Sequence, residues 1–97
     1  MAEIIMVDKK LLDRLREAFK RYGREVLGDP EITVDFFPTE YEGSVGVLLT
    51  SPLLQNMSFS ERQNSIWDFL LNDPKLNRDD MFVLSRIAME TEAVEFI

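Results

Sequence analysis

The chain has 97 residues and a formal net charge of −7, and it contains neither cysteine nor histidine. Its length suits one small domain, and a composition of 45% hydrophobic and 30% charged residues is typical of a soluble globular protein. Without thiols or imidazoles the chain has no disulfide, no thiolate nucleophile, no histidine base and none of the usual zinc or iron–sulfur ligands. We therefore expect no metal and no cofactor.

The first predicted helix begins at an Asp8 N-cap and runs to about Tyr22, with apolar residues at spacings of three and four. Gly23 is a candidate stop, although two apolar residues beyond it allow the helix to continue toward Gly28. Seven basic and four acidic residues lie in the segment ending at Arg24, whereas four basic and fourteen acidic residues follow it. This basic helix either meets an acidic partner or offsets the acidity of its own domain.

Two strands follow, because apolar residues alternate with other residues over 32–37 and again over 45–50. The first strand ends at Pro38, and the link from there to Gly43 has the length of a hairpin loop. We therefore predict that the two strands pair in antiparallel fashion.

Two consecutive helix starts come next. Residues 51–52, Ser-Pro, have the form of an N-cap followed by a first-turn proline. A second start follows at once, where either Ser58 with Glu61 or Ser60 with Gln63 has the spacing of a capping box. The longer helix that they open closes at an Asn-Asp-Pro sequence, so the pair forms a helix-turn-helix-like corner.

A third strand is predicted over residues 81–88, after a polar loop over residues 75–80. Both faces of this strand are apolar near its start, which favours a central or covered position. Residues 91–97 could add one or two helical turns. The predicted fold is a single α+β domain over residues 1–97, in α-β-β-α-α-β(-α) order, with a three-stranded mixed sheet and its helices on one face.

Residues that could carry chemistry have plainer structural explanations. The paired carboxylates Glu40/Glu42 and Asp79/Asp80 lie in predicted loops, with no sign of the pocket that would raise a catalytic pKa. The serines at helix starts are explained by capping, and no lysine is linked to them by a motif. The elbow between the paired helices, residues 55–58, has no glycine, so backbone there cannot closely approach a phosphate.

The aromatic residues give no obvious stacking platform for bases, and most of them fit core positions. We assign Phe36, Phe59, Trp67, Phe69 and Phe82 to the core. Phe37, Tyr41 and Phe96 are the candidates for exposure.

Residues 51–92 resemble the BolA-like proteins, small α/β domains with a KH-like topology. The second helix of that family begins with a Leu-Ser-Leu-x-x-Arg-His-Arg-type signature, and residues 57–64 read Met-Ser-Phe-Ser-Glu-Arg-Gln-Asn. The family's last strand carries an Ile-His-Ala-Leu-Ser-like run and ends in Lys-Thr-Pro-Glu-Glu, and the chain has Met-Phe-Val-Leu-Ser at 81–85 and Met-Glu-Thr-Glu at 89–92. The resemblance implies a BolA/KH-like fold and a role in stress response or regulation.

The same resemblance implies a monothiol glutaredoxin as the protein partner, and DNA contact through the helix-turn-helix. Gln63 and Phe82 stand where the family has histidines, so we expect that a shared iron–sulfur cluster is not retained. Arg62 keeps the place of the family's first arginine.

We predict a cytoplasmic, non-enzymatic protein-interaction or regulatory module, with no membrane-spanning segment and no signal peptide. The predicted partner-binding surface is the corner, which consists of Met57, Ser58, Ser60, Glu61, Arg62, Gln63 and Asn64. These residues would also be explained if they only cap and solvate a helix. The alternatives are a nucleic-acid-binding regulator, using the basic first helix or the Arg62 region, and a small enzyme built on a Ser–Lys or carboxylate site.

Overall fold

A three-stranded mixed sheet lies at the centre of the computed structural model, which describes residues 9–40 and 43–91. The strands are β1 (Thr33–Pro38), β2 (Val45–Thr50) and β3 (Leu84–Glu90). β1 pairs antiparallel with β2, as the alternating pattern predicted, and β2 pairs in parallel with β3. The described strands therefore form one sheet with β2 in the middle, and the helices pack on one of its faces.

The first helix, α1 (Lys9–Tyr22), lays its apolar stripe on the sheet. Charged residues occupy the opposite side, so the amphipathic pattern decides which face is buried. The buried positions are Leu11, Leu15, Ala18, Phe19 and Tyr22. The N-cap predicted at Asp8 lies outside the described residues.

The α-helix ends at Tyr22, as predicted, but Gly23 does not end the helical path, so the alternative of continuation toward Gly28 is the one that holds. The chain continues through a π-helical turn, Gly23–Leu27, and ends at Gly28, which has a φ of 76° in the left-handed region that favours glycine. A side chain at Gly23 would collide with the buried Ile32 and with the carbonyl oxygen of Asp29. Close packing, rather than helix termination, therefore explains this glycine.

The β1–β2 hairpin places its apolar residues in register on the inner face of the sheet. Val34 lies opposite Leu49, and Phe36 lies opposite Val47. Phe36 is half-buried, and the other three side chains are buried. The ring of Phe37, which is half-buried, covers Gly46 on the other face.

The link from β2 to β3 contains the predicted pair of helices. Its first part is a 3-10 turn, Pro52–Asn56, capped by Ser51, whose Oγ accepts the backbone N–H of Leu53. The second part, α2 (Phe59–Leu71), begins after Ser58. Of the two capping boxes that the sequence allows, the one made by Ser58 and Glu61 forms.

The segment predicted as a polar loop and the start of β3 contains a third helix, α3 (Arg78–Met81). Asn77 caps it and exchanges hydrogen bonds with Asp80, which places the start of β3 at Leu84. β3 lies at the outside of the described sheet, so of the predicted central or covered positions the central one is wrong. Residues 92–97, where a terminal helix was predicted, lie outside the described residues.

The core lies between the inner face of the sheet and the apolar faces of α1 and α2. Its largest fully buried side chains are Tyr22, Phe19, Leu15, Leu49, Leu54, Ile66 and Leu70. Two aromatic residues assigned to the core are exposed instead: Phe59 by 75% and Phe82 by 74%. The core predictions for Phe36, Trp67 and Phe69 hold in part, because these three pack against the core while remaining half-buried.

Candidate protein-interaction surface

The corner, residues 57–64, begins with a capping box that uses two of its predicted contact residues. The backbone N–H of Ser58 donates to Oε1 of Glu61 at 2.8 Å, and the backbone N–H of Glu61 donates to Oγ of Ser58 at 3.2 Å. Both residues remain exposed. Their pairing satisfies free backbone donors at the start of α2, so helix capping accounts for both residues.

Arg62 fastens the corner to the rest of the domain. Its Nε donates to the carbonyl oxygens of Leu54 and Met57, at 2.9 and 3.1 Å, and its Nη1 donates to the carbonyl oxygen of Met89 at 3.4 Å. One half-buried side chain thus joins the 3-10 turn, α2 and β3. Arg62 therefore has a structural role within the domain that the sequence pattern does not predict.

Gln63 has a similar position one residue later. Its Nε2 donates to the carbonyl oxygen of Ile87 at 3.0 Å, and its side chain is half-buried. Met57, also half-buried, packs against the hydrophobic core. Of the seven predicted contact residues, Ser60 and Asn64 are exposed and have no structural role described above.

Phe59 is the functional candidate that sequence reasoning missed. It precedes the buried Ile66 by seven residues, a spacing that places both on one helix face and favours a core position. Phe59 nevertheless has 75% of its surface exposed. A large aromatic side chain at the first position of a helix, immediately after its cap, is the signal that could have identified it.

A groove of about 480 Å³ separates the first turns of α2 from β3. Phe59 and the half-buried Trp67 form its wall on the helix side, and the β3 residues 85–90 form the other. Arg62 and Gln63 also line it, so the corner and the groove are continuous. The arrangement presents two aromatic side chains beside the backbone of an outer strand.

Three arginines of α1, the helix that supported the nucleic-acid alternative, contact other residues of the same domain. Nη2 of Arg14 lies 3.1 Å from Oδ1 of Asp80. Arg16 donates through Nη1 to the carbonyl oxygen of Val34 at 2.8 Å, and its guanidinium lies 5.1 Å from the ring centre of Phe36. These contacts use positive charge that a polyanion would otherwise meet.

A second cleft, of about 520 Å³, lies between the end of α1 and the end of α2 and contains a buried ion pair. Nη2 of Arg21 lies 2.6 Å from Oδ2 of Asp73, but the N–H is poorly aligned, so we treat the contact as an ion pair rather than a hydrogen bond. Burial raises the pKa of Asp73. This increase is outweighed by the contact with Arg21, by the hydrogen bond from the backbone N–H of Lys75 and by the positive charges of these two residues. The pKa of Asp73 therefore lies below its usual value.

Tyr22, which contacts Ser65 and Phe69 of this cleft, is fully buried. Its hydroxyl shares a hydrogen bond of 2.9 Å with Oγ of Ser65, and its ring packs edge-on against Phe69 with ring centres 5.6 Å apart. Burial raises the pKa of this tyrosine, and the Ser65 hydrogen bond offsets part of the increase. The hydroxyl is therefore held in its neutral form, as part of the packing between α1 and α2.

The paired carboxylates do not form a recognisable centre within residues 9–40 and 43–91. Asp80 accepts the backbone N–H of Asn77 in the capping box of α3 and contacts Arg14, whereas Asp79 is exposed. No group of three or more acidic side chains in these ranges is arranged to hold a metal ion. Glu42 and Tyr41 lie outside the described residues.

No family model, no curated protein and no solved structure matches this chain. The resemblance to BolA-like proteins therefore remains a prediction based on the residues quoted above. Among the helices in the described part of the chain, none is both long and apolar enough to cross a bilayer. The geometry of the corner and its groove is thus the basis for a functional hypothesis.

Proposed function

We propose that this chain is a non-enzymatic protein-interaction module that binds its partner through the corner and the adjoining groove. The observation that carries this proposal is Phe59, a large apolar side chain that is 75% exposed and lies beside Trp67 at the groove. Burying an aromatic side chain of this size in an interface is worth roughly 1.5–3 kcal/mol. Phe59 is therefore the expected anchor of the contact, with Ser60 and Asn64 beside it.

The expected partner is a protein that presents an apolar side chain within a basic surface. The chain has a net charge of −7, and two arginines of α1 already face Asp73 and Asp80 of the same domain. Glu90, Arg62 and Arg86 all line the groove, so the preference for positive charge in an incoming surface rests on the net charge of the chain rather than on the groove itself. Nucleic acid is disfavoured by the same net charge.

A BolA-like origin is part of this proposal, and it suggests a monothiol glutaredoxin as the first partner to test. The proposal omits a shared iron–sulfur cluster. Gln63, which stands in the place of a family histidine, offers an amide that donates to the Ile87 carbonyl, and an amide is not a usual cluster ligand. We accordingly expect a direct protein contact that needs no metal.

The test compares two equally exposed phenylalanines. Phe59→Ser removes the proposed anchor, whereas Phe82→Ser removes an aromatic side chain of matching exposure, 74%, at the junction of α3 and β3. Proteins captured from the native cell are identified by mass spectrometry. The binding of each purified candidate, and of a monothiol glutaredoxin, is then measured by calorimetry.

We expect Phe82→Ser to bind like the wild type and Phe59→Ser to bind roughly 30-fold more weakly, the change expected for an interface anchor worth about 2 kcal/mol. Equal binding by wild type and Phe59→Ser would refute the proposal. A gel shift with nucleic acid that weakens steeply with salt would favour the nucleic-acid alternative instead.

A further inference from the structure

The outer edge of β3 is closed by side chains from α2. The carbonyl oxygens of Ile87 and Met89 accept hydrogen bonds from Gln63 and Arg62, at 3.0 and 3.4 Å. The N–H and C=O of one strand residue project to the same side, so the amides of these two residues also point away from β2. This is the backbone that an additional strand would use for pairing.

The opposite edge of the described sheet has a comparable contact. β1 pairs with β2 on one side, and Nη1 of Arg16 donates to the carbonyl oxygen of Val34 at 2.8 Å on the other. The guanidinium also lies over the ring of Phe36, which holds the arginine across the edge. A side chain from a helix therefore occupies a strand carbonyl at each edge.

We propose that Gln63, supported by Arg62, closes the edge of β3 and keeps a second copy of this chain from adding a strand there. An uncovered outer strand is a template for pairing between chains, and a second copy brings an identical edge that can pair with it. An incoming strand would have to displace the Gln63 amide from Ile87 and fit beside α2. Removing the amide frees the Ile87 carbonyl for an incoming strand.

Gln63 is the cleaner position for a test, because Arg62 also holds the 3-10 turn. Gln63→Met keeps the length and the helix propensity of the side chain but removes its hydrogen-bond donor. Asn64→Met adds the same apolar group at the exposed neighbouring residue, so it controls for added hydrophobicity. Gln63→Lys restores N–H donors at similar reach and is the rescue variant.

Sedimentation velocity over increasing protein concentration and amide hydrogen exchange together test the proposal. For Gln63→Met we expect the average mass to rise with concentration, with slowed exchange of the Ile87 and Met89 amides at the concentrations where mass rises. We expect Asn64→Met and Gln63→Lys to keep the wild-type mass profile and the wild-type exchange rates. If Gln63→Met does not fold, Gln63→Ala carries the same comparison, since alanine favours the helix.

Three results would overturn the proposal. The donor-free variant could associate no more than the wild type, it could associate to the same extent as Asn64→Met, or it could associate without slower exchange at the two β3 amides. These outcomes are separate from the partner-binding test, which reads Phe59 and does not depend on self-association.

Discussion

The buried ion pair between α1 and the segment after α2 gives the most direct test of how this domain is held together. The Asp73 side chain is 1% exposed, and Arg21 is 18% exposed. Oδ1 of Asp73 accepts the backbone N–H of Lys75 at 2.8 Å, while Oδ2 faces Arg21. Asp73→Asn keeps the shape and the Lys75 acceptor, removes the negative charge and replaces the oxygen that faces Arg21 with an NH2 donor group.

The expected cost follows from what remains buried. Removing one partner of a fully buried ion pair costs about 3–5 kcal/mol, and solvent screening of the 18% exposed Arg21 lowers this cost. We expect Asp73→Asn to lower the free energy of unfolding by roughly 2–3 kcal/mol at neutral pH. The control is Asp68→Asn, an exposed acid of α2, for which we expect a change within about 0.5 kcal/mol.

The pH dependence has a definite sign. The pKa of Asp73 in the folded state lies below its ordinary value of 3.8, so its contribution is fully present above that value. It is lost as the pH falls through the lower, folded-state pKa, because the unfolded chain then binds the proton more readily. The stability gap between wild type and Asp73→Asn should therefore be widest near neutrality and narrow in acid.

Urea unfolding at a series of pH values measures this gap, with the fluorescence of Trp67, the single tryptophan, as the signal. The reasoning is refuted if the gap stays constant into the acid range. It is also refuted if Asp73→Asn costs no more than Asp68→Asn at neutral pH.

Two further predictions concern the packing around the end of α1. Tyr22→Phe should lose about 1 kcal/mol of stability, since it removes the hydroxyl bound to Ser65. Above pH 10.0 its stability should fall less than that of the wild type, because the raised pKa of Tyr22 means that the folded state favours the neutral tyrosine and loses stability when this group ionises. Thermal unfolding at neutral and alkaline pH checks both. Gly23→Ala should cost roughly 1–3 kcal/mol through collision with Ile32. Gly28→Ala brings no new atom into contact and only strains the backbone, so we expect it to cost less. Equal losses in denaturant titrations would contradict the packing explanation.

The sequence was sufficient for those parts of the fold that depend on local patterns. Alternating residues and a short link predicted the β1–β2 hairpin with its inner face, and serine caps predicted the start of α2. The same rule applied to Asn77 and Asp80 would have predicted α3, since they have the spacing of a capping box. The alternation over residues 81–88 was the stronger signal, and it led to a strand that starts too early.

The register of β3 could not be read from its sequence, because it depends on a neighbour. Val45 pairs with Leu84, but Gly46 pairs with Arg86, so Ser85 is an extra residue in the ladder. This bulge buries Leu84, Ile87 and Met89 and breaks the simple alternation. A period of two was the wrong rule at this one position.

The intramolecular contacts of the corner were not predicted from the sequence. The β3 carbonyl oxygens that Gln63 and Arg62 bind belong to Ile87 and Met89, which lie 24 and 27 positions later in the sequence. Nothing in the local sequence of the corner predicts these two contacts. Phe59 was assigned to the core wrongly, because helical spacing alone does not show which residues of a helix face reach the core. Long-range hydrogen bonds thus determine which side chains of the corner are free to bind a partner.

The uneven charge distribution of the chain is also explained by contacts between residues that are distant in sequence. A basic first segment and an acidic remainder suggested either an anionic ligand or compensation within the domain. In the fold, Arg14 and Asp80 are brought together across 66 positions of sequence, and Arg21 meets Asp73 in a nearly closed site. Each such pair offsets one cation of α1 with one anion of the acidic remainder, while Arg14 stays 45% exposed. The charge asymmetry is therefore better explained as the complementarity of α1 with the segment after α2, and the exposed aromatic residue at the corner becomes the stronger indication of a binding surface.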